Sequence, residues 1–285
     1  MWQPPTDPPP GPHYGSQTPV PPRDLGRIIS SAFEVYGKSF RQLLPTAAAL
    51  AVPMQLVLQL WTHSLFPPEE IQKLVAGQSD PAAMLASVKG ALLRVGWSLL
   101  FATVVGGVMG ALVQAALLRA AAQVLVGQEV SVGGSVSWGL AHLWPVIWVS
   151  LAVGVATAAG YVLLLVPGII LSGCFVVAVP AVVVEGRRGL DAMSRSWELV
   201  KGHWWHAFLT SLVAGLILGF GVGLFSGFFS ALKAHWVLVM AVDIAASAVF
   251  TPFATLVAVL LYVDLRVRKE GLTAEVFSQQ VVALG

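Results

Sequence analysis

Residues 130–184 read VSVGGSVSWGLAHLWPVIWVSLAVGVATAAGYVLLLVPGIILSGCFVVAVPAVVV, a run of 55 positions without Asp, Glu, Lys or Arg. An α-helix rises about 1.5 Å per residue, so about 20 residues cross a hydrocarbon layer of roughly 30 Å. The run is therefore long enough for two membrane helices joined by a tight turn, which is predicted at Pro167-Gly168. Water is not the solvent of such a segment, and the chain is an integral membrane protein.

The composition of the whole chain agrees with this interpretation. Hydrophobic residues make up 56% and charged residues 11% of the 285 positions, and the mean hydropathy is +0.79. Soluble domains carry about 25% charged residues. The formal net charge of +2 is too small for a nucleic-acid-binding surface, so we expect no nucleic acid as a partner. Cys174 is the single cysteine, which excludes an intramolecular disulfide.

Apolar runs predict an all-α membrane bundle of about six spans, arranged as three hairpins. We expect the spans at about 43–62, 95–118, 145–166, 169–184, 204–232 and 236–263. The first contains Pro53, where a kink is expected because proline removes a helical hydrogen bond. The fourth has only 16 residues before Glu185, or roughly 24 Å of helix. It forms a short crossing or, as the main alternative, a re-entrant hairpin with the third span.

The basic residues are divided unevenly between the two sides of the membrane. Six spans place both termini on one side, and 12 of the 16 Lys and Arg residues fall there. These are Arg23, Arg27, Lys38, Arg41, Arg119, Arg187, Arg188, Arg195, Lys201, Arg266, Arg268 and Lys269. By the positive-inside rule that side is cytoplasmic, so we expect both termini in the cytoplasm. Lys233 and the 63–94 loop, with Lys73, Lys89 and Arg94, then face outward.

The chain divides into three predicted regions. Residues 1–22 hold nine of the 18 prolines and no apolar run, which predicts a disordered, proline-rich tail. Residues 23–271 form the membrane domain. Residues 272–285 form a short cytoplasmic C-terminal tail.

An amphipathic segment precedes three of the spans. Before the fifth span, one helical face collects Leu190, Met193, Trp197, Val200 and Trp204. Phe33 and Phe40, before the first span, have the same seven-residue spacing as Trp197 and Trp204, and a weaker copy with Trp138 and Trp144 precedes the third. This pattern predicts three tandem units, each an interfacial amphipathic helix followed by a two-span hairpin. Alternatively, aromatic side chains gather at interfaces without any repeat.

The fifth span carries a small residue at every fourth position. These residues are Ala207, Ser211, Gly215, Gly219, Gly223, Gly227 and Ala231. Small side chains let a neighbouring backbone approach closely, which is how helices associate in lipid. We expect Gly215, Gly219, Gly223 and Gly227 to pack inside the bundle, with a seam between two copies of the chain or a pore-lining face as alternatives.

Asp243 is the one carboxylate well inside a predicted span. A charged residue at mid-membrane is costly, about 2.5 to 3.5 kcal/mol on insertion scales, and is therefore a candidate functional residue. We expect a structural polar contact with Arg94, Lys233 or His235. A proton or ion site and an idle, neutral carboxyl are the alternatives.

No pattern in the chain predicts a metal, cofactor or catalytic site. His203 and His206 are three apart, but a zinc site needs three or four ligands and none of the others is nearby. Their expected role is interfacial anchoring. Ser226 and His235 lie near one boundary, but the string GLFSG lacks the spacing of an intramembrane serine protease.

Several stretches resemble the bacterial glycerophosphoryl diester phosphodiesterase membrane-domain family and its uncharacterised relatives. They are RDLGRIISSAFEVYGKSFRQLLPTAAALAVP (23–53), LLLVPGIILSGCFVVAVPAVVVEG (163–186), RSWELVKGHWW (195–205) and LLYVDLRVRKEG (260–271). The most specific elements are Pro167-Gly168, Pro180 with Glu185, Arg195-Ser196-Trp197 and Asp264-Leu265-Arg266. Where the family often has two tyrosines before that aspartate, this chain has Tyr262-Val263.

The resemblance implies a bacterial inner-membrane protein. Some members continue into a soluble phosphodiesterase domain, whose metal-binding residues have no counterpart here, so we expect no enzymatic activity. Arg195, Trp197, Lys201 and Trp204 match the family motif, and they suit an interfacial helix that contacts anionic lipid headgroups. The bilayer is thus the expected partner, and no oligomeric state is predicted.

Two functions follow as hypotheses. The first is a non-catalytic scaffold or lipid-interacting partner in an envelope process. The alternative is a transporter of a small molecule or lipid, with a path between the repeats. A polar cavity lined by Asp243, Gln114 or Arg119 favours the transporter, and a bundle closed from end to end favours the scaffold.

Overall fold

The computed structural model describes residues 21–65, 81–232 and 235–283, with the side chains of 62–65 and 81–88 left aside. Residues 1–20 of the predicted disordered tail, residues 66–80 of the predicted 63–94 loop, and Lys233 lie outside these ranges. Within them the chain is helical and contains no strand. The helices are α1 (Leu25–Leu65), α2 (Pro81–Leu125), α3 (Val132–Ala141), α4 (Leu143–Leu163), α5 (Leu165–Cys174), α6 (Ala178–Glu185), α7 (Leu190–Val200), α8 (Trp204–Ala231), α9 (Trp236–Glu270) and α10 (Ala274–Val282).

The predicted all-α membrane bundle is confirmed. Six helical stretches among the described residues are long and apolar enough to cross a bilayer. They are Leu25–Trp61, Lys89–Leu125, Leu143–Leu163, Leu165–Glu185, Trp204–Ala231 and Trp236–Glu270. Consecutive stretches pack as pairs, α1 with α2, α4 with α5 and α6, and α8 with α9. Helix α9 also packs against α1, α2, α6 and α7, so it is the central helix of the bundle.

The three amphipathic segments take two different forms. Helices α3 and α7 are separate short helices, and the Ser131 side chain caps α3 by accepting a hydrogen bond from the Gly134 amide at 3.3 Å. The first segment has no break from its span, since α1 runs for 41 residues through Pro45 and Pro53. Neighbouring helices stabilise such an interrupted hydrogen-bond ladder inside a membrane.

The predicted turn at Pro167-Gly168 is wrong. The chain reverses at Leu164, whose backbone is extended with φ −164° and ψ 150°, and α5 begins directly after it. Pro167 lies in the first turn of α5, where its missing N–H is no loss because the first amides of a helix lack intrahelical partners. The proline therefore marks the start of a helix rather than the turn before it.

The fourth span is interrupted. Helix α5 ends at Cys174 and α6 begins at Ala178, with Phe175, Val176 and Val177 between them in a turn. Residues Ala178–Val184 are all buried. The three interrupting residues are apolar and contain neither glycine nor proline. The signal in the sequence is Pro180, which is the third residue of α6 as Pro167 is the third residue of α5.

The buried core lies at one end of the bundle, which we call the terminal face because the start of α1 and the end of α9 meet there. Helices α9, α6 and α2 contribute most of it, and helix α10 adds to it. The region 272–285 is thus not only a tail, since Phe277 and Val281 of α10 are buried. At the opposite end of α4, by contrast, Val162 is 86% and Leu163 is 76% exposed. Those apolar side chains face lipid.

The glycine stripe of α8 also faces outward. No described atom lies within 4 Å of a Cβ built on Gly215, Gly219, Gly223 or Gly227. Together with Leu216, Phe220 and Leu224, the first three of these glycines line an open groove of about 460 Å³. Packing of these glycines inside the bundle is therefore a wrong prediction for the described residues. Gly221, off the stripe, makes the close contact instead, since a Cβ there would lie 2.6 Å from the Phe250 ring.

The α4–α5 hairpin depends on a close backbone contact that gives the first testable prediction. A Cβ on Gly160 would lie 2.9 Å from the Gly168 Cα, and backbone atoms do not move aside. Gly160→Ala should therefore destabilise the protein by about 1–3 kcal/mol, measured as a lower midpoint of SDS-induced unfolding.

Gly154→Ala in the same helix is the matched control, because nothing lies within 4 Å of its added Cβ. It should be neutral or stabilising by up to about 1 kcal/mol, from helix propensity alone. Equal stability of the two variants would contradict the hairpin contact.

Candidate functional site

The carboxylate of Glu185 lies at the centre of a charged network on the terminal face. Glu185 ends α6, and its side chain is only 8% exposed. Arg195 of α7 donates to both carboxylate oxygens, with Nε 2.9 Å from Oε2 and Nη2 2.9 Å from Oε1. The Tyr262 hydroxyl of α9 donates to Oε1, and the Nε of Arg266 lies 3.4 Å from the same oxygen. One carboxylate therefore joins three helices.

Glu270 shares the same two arginines. Its Oε1 lies 2.5 Å from Nη1 of Arg195, and its Oε2 accepts from Nε of Arg266 at 3.1 Å. The hydrogen bond to Glu270 and then that to Glu185 hold the pKa of Arg195 above its usual value, against the opposing effect of burial. Arg195 is therefore a permanent cation whose donors are directed at two carboxylates.

Arg266 extends the network to the last helix. Its Nη1 donates to Oε1 of Gln280 in α10 at 2.7 Å. Tyr262, Arg266 and Glu270 are four residues apart in α9 and so lie on one helical face. That spacing is the signal in the sequence that would have placed the three side chains together.

A second carboxylate, that of Asp264 in α9, contacts α8 and the segment before α1. Its side chain is 1% exposed. Oδ1 accepts from the Arg23 amide at 2.6 Å, and Oδ2 accepts from Nε of Arg268 at 2.7 Å. Nε2 of His206 in α8 lies 3.0 Å from Oδ2, and Nη2 of Arg268 donates to the Arg23 carbonyl at 2.7 Å. Both oxygens of Asp264 thus make contacts that hold helix ends together.

The Arg195-Ser196-Trp197 motif closes the break in the fourth span. While Arg195 binds Glu185, the buried hydroxyl of Ser196 donates to the Cys174 carbonyl at 2.8 Å. Cys174 ends α5, so its carbonyl has no partner within that helix and would be costly to bury unpaired. Trp197 packs near Phe175, with ring centroids 6.4 Å apart. Ser196 thus binds the end of α5, Trp197 packs near the turn, and Arg195 binds the end of α6.

The four residues predicted to contact lipid headgroups fall into two pairs, one engaged within the protein and one exposed. Arg195 is bound by carboxylates, and Trp204 donates from Nε1 to the Ile170 carbonyl at 3.0 Å while its ring covers Gly173. Those two residues therefore make contacts within the protein that satisfy their polar groups, and their contact with lipid stays a prediction. Lys201 is exposed and Trp197 is 45% exposed, so these two keep a surface on which a headgroup can bind.

A pocket of about 670 Å³ opens beside the network. It is lined by Val184, Glu185, Gly186, Arg187, Arg195, Arg266, Gln280 and Ala283. Its three arginines are balanced by carboxylates, because Arg187 pairs with Glu185 and with Asp191. The arrangement binds helices to one another and supplies no unbalanced charge to a ligand.

Asp243 forms a polar contact between three helices, with partners other than those expected. Ser226 of α8 hydrogen bonds to its Oδ1, and Nε2 of Gln59 in α1 donates to Oδ2 at 3.4 Å. Of the expected partners, Nε of Arg94 donates to the Gly90 carbonyl and Nδ1 of His235 accepts from the Val237 amide, each at 3.4 Å. Ser226, which the sequence analysis considered together with His235, therefore hydrogen bonds to Asp243.

The two neighbouring histidines serve different contacts. His206 pairs with Asp264, whereas Nδ1 of His203 is buried without a hydrogen-bond partner. Burial and then the charges of Arg268 and Lys269 lower the pKa of His203. Among the described residues no three His, Cys, Asp or Glu side chains are grouped as metal ligands.

Comparisons with known proteins find no matching family model, no matching curated protein and no matching solved structure. The resemblance to the phosphodiesterase membrane-domain family thus stays a prediction from the residues quoted above.

The network around Glu185 gives the second testable prediction. Glu185→Gln removes one charge with almost no change in shape and leaves Arg195 and Arg266 short of a partner. Breaking a buried ion pair costs about 3–5 kcal/mol. We expect a correspondingly lower midpoint of SDS-induced unfolding, with earlier protease cleavage between α9 and α10.

Glu34→Gln is the control, since its pair with Lys38 is exposed on both sides at 67% and 73%. It should leave the midpoint unchanged, because water solvates both charges. An unchanged midpoint for Glu185→Gln would mean that the network does not stabilise the terminal face.

Proposed function

We propose that the chain is a non-catalytic integral protein of the bacterial inner membrane that acts as a lipid-interacting scaffold in an envelope process. One observation carries the proposal: the polar residues of the resembling motifs pair with one another. Glu185, Arg195, Asp264 and Arg266 all make helix-to-helix contacts at the terminal face. Their contacts join α6, α7, α8, α9 and the segment before α1, and the large apolar surface beyond the core suits contact with lipid.

The placement of three polar residues also supports a scaffold. Asp243 lies between α1, α8 and α9, Gln114 is exposed on α2, and Arg119 is buried near α3. Neither the groove of α8 nor the pocket beside Glu185 includes any of them. These three side chains thus do not converge as a transport path would require.

One feature favours the alternative of a transporter. Helix interruptions inside a membrane are common where transporters bind their substrates, since the free helix ends attract ions. The break between α5 and α6 is of this kind, although the Ser196 hydroxyl already occupies the Cys174 carbonyl.

Flux through sealed vesicles separates these two functions and gives the third prediction. Full-length protein reconstituted in lipid vesicles should move neither protons, followed with an enclosed pH dye, nor fluorescent phospholipid between leaflets, followed with dithionite. Both signals should equal those of protein-free vesicles. Native mass spectrometry of the same sample should show retained phospholipid.

Asp243→Asn and Asp191→Asn serve as paired variants in this assay. Asp191 is exposed on α7, whereas Asp243 joins three helices. Flux by the natural chain that Asp243→Asn abolishes and Asp191→Asn keeps would establish the transporter instead.

The proposal places the terminal face in the cytoplasm, which gives the fourth prediction. Cys174 is buried and is the only cysteine, so the natural chain should resist an impermeant maleimide. In intact spheroplasts Lys89→Cys, where the apolar stretch of α2 begins, should be labelled from outside. Arg188→Cys, between α6 and α7, should be labelled only after permeabilisation. The reverse pattern would overturn the orientation.

A further inference from the structure

Arg119 is a buried cation at the terminal face that the charged network does not use. It lies near the end of α2 and is only 7% exposed. Its Nη1 donates to the Gly134 carbonyl in the first turn of α3, and its guanidinium lies 5.7 Å from the centre of the Trp138 ring. The side chain is therefore directed at the beginning of α3.

This arginine has no counter-ion. No carboxylate of the described residues lies within 4 Å of it, and its Nε is buried without a hydrogen-bond partner. The other buried arginines differ: Arg195 and Arg266 each contact two carboxylates. A buried charge without a partner is strongly unfavourable, so the site calls for an anion.

The first turn of α3 supplies further donors at the same place. Ser131 accepts from Gly134 through its side chain and from Ser135 through its carbonyl. The amides of Val132 and Gly133 precede these and make no hydrogen bond within the described residues. Free amides and the positive end of the helix dipole attract anions, phosphate groups in particular.

We propose that Arg119 and the first turn of α3 bind the phosphate group of an anionic phospholipid. Arg119 lies six residues before the end of the apolar stretch Lys89–Leu125, where lipid headgroups are expected. Trp144, at the start of α4, is 66% exposed, as is typical of an interfacial aromatic residue. Exposed Glu129 lies two residues before Ser131, and its charge disfavours a doubly charged anion. A singly charged phosphodiester therefore suits the site better than free phosphate does. This inference rests on the proposed lipid-interacting function and names the lipid group that is bound.

Titration with defined lipid tests the site and gives the fifth prediction. The full chain in phosphatidylcholine nanodiscs is titrated with phosphatidylglycerol, and separately with inorganic phosphate. Thermal unfolding and native mass spectrometry follow binding. Phosphatidylglycerol should raise the unfolding temperature of the natural chain and remain bound. Arg119→Met should weaken that binding about tenfold or more, because it removes charge-assisted hydrogen bonds.

Two matched pairs of variants exclude trivial explanations. Arg188→Met removes an exposed arginine from the same face and should keep the response. Val132→Pro removes one amide donor at the first helical position, after a residue that is already extended at φ −97° and ψ 125°, and should weaken binding. Val132→Ala keeps the amide and should respond like the natural chain. If Arg119→Met does not fold, the Val132 pair carries the test.

Each result decides the matter. In pure phosphatidylcholine Arg119→Met loses the hydrogen bond to the Gly134 carbonyl and the contact with Trp138, but it also removes an unpaired buried charge. Its stability should therefore lie close to that of the natural chain. A loss of stability of Arg119→Met in every lipid, together with equal lipid responses of Val132→Pro and Val132→Ala, would assign Arg119 a structural role and overturn the proposal. So would equal responses of Arg119→Met and the natural chain, or no response to phosphatidylglycerol. A response to inorganic phosphate alone would establish the anion site but overturn its assignment to lipid. None of these failures would produce flux in the vesicle assay, so the proposed scaffold is tested separately.

Discussion

The carboxylate of Glu185 is the interaction on which the terminal face depends. Its oxygens accept hydrogen bonds from α7 and α9. Glu185 is the last residue of α6, and the seven residues before it are all buried. A carboxylate at this depth is tolerable only because Arg195, Tyr262 and Arg266 surround it. The position of Arg195 in turn brings Ser196 to the Cys174 carbonyl, so the interrupted span is completed by the same helix that neutralises the charge.

Hydropathy alone predicted the bundle, because lipid imposes a simple rule on composition. A stretch of about 20 apolar residues has few alternatives to a membrane helix, so six spans and their pairing follow from the chain. The motif residues Glu185, Arg195 and Asp264 were also visible as a group in the sequence. Their partners were not, since a contact between α6 and α9 joins residues 77 positions apart and leaves no local pattern.

The wrong predictions share a physical cause, which is that glycine and proline have several uses in a helix. Pro167 lies in the first turn of α5 rather than in the turn before it, because the first turn of a helix tolerates a missing amide. The glycines of α8 satisfy the spacing of a packing motif, yet Gly221 makes the close contact and the stripe faces outward. The spacing of small residues shows that another helix can approach closely. Which face of the helix is packed depends on the position of the partner helix.

The bond between Arg23 and Asp264 has a consequence for biogenesis. The two residues are separated by 241 positions. The segment before α1 therefore cannot form this contact until most of α9 has been synthesised. Helix α10, made after both, completes the surroundings of Arg266. The earlier spans therefore enter the bilayer while Glu185 still lacks Tyr262 and Arg266 as partners, and the terminal face is completed only after α9 and α10 have been made.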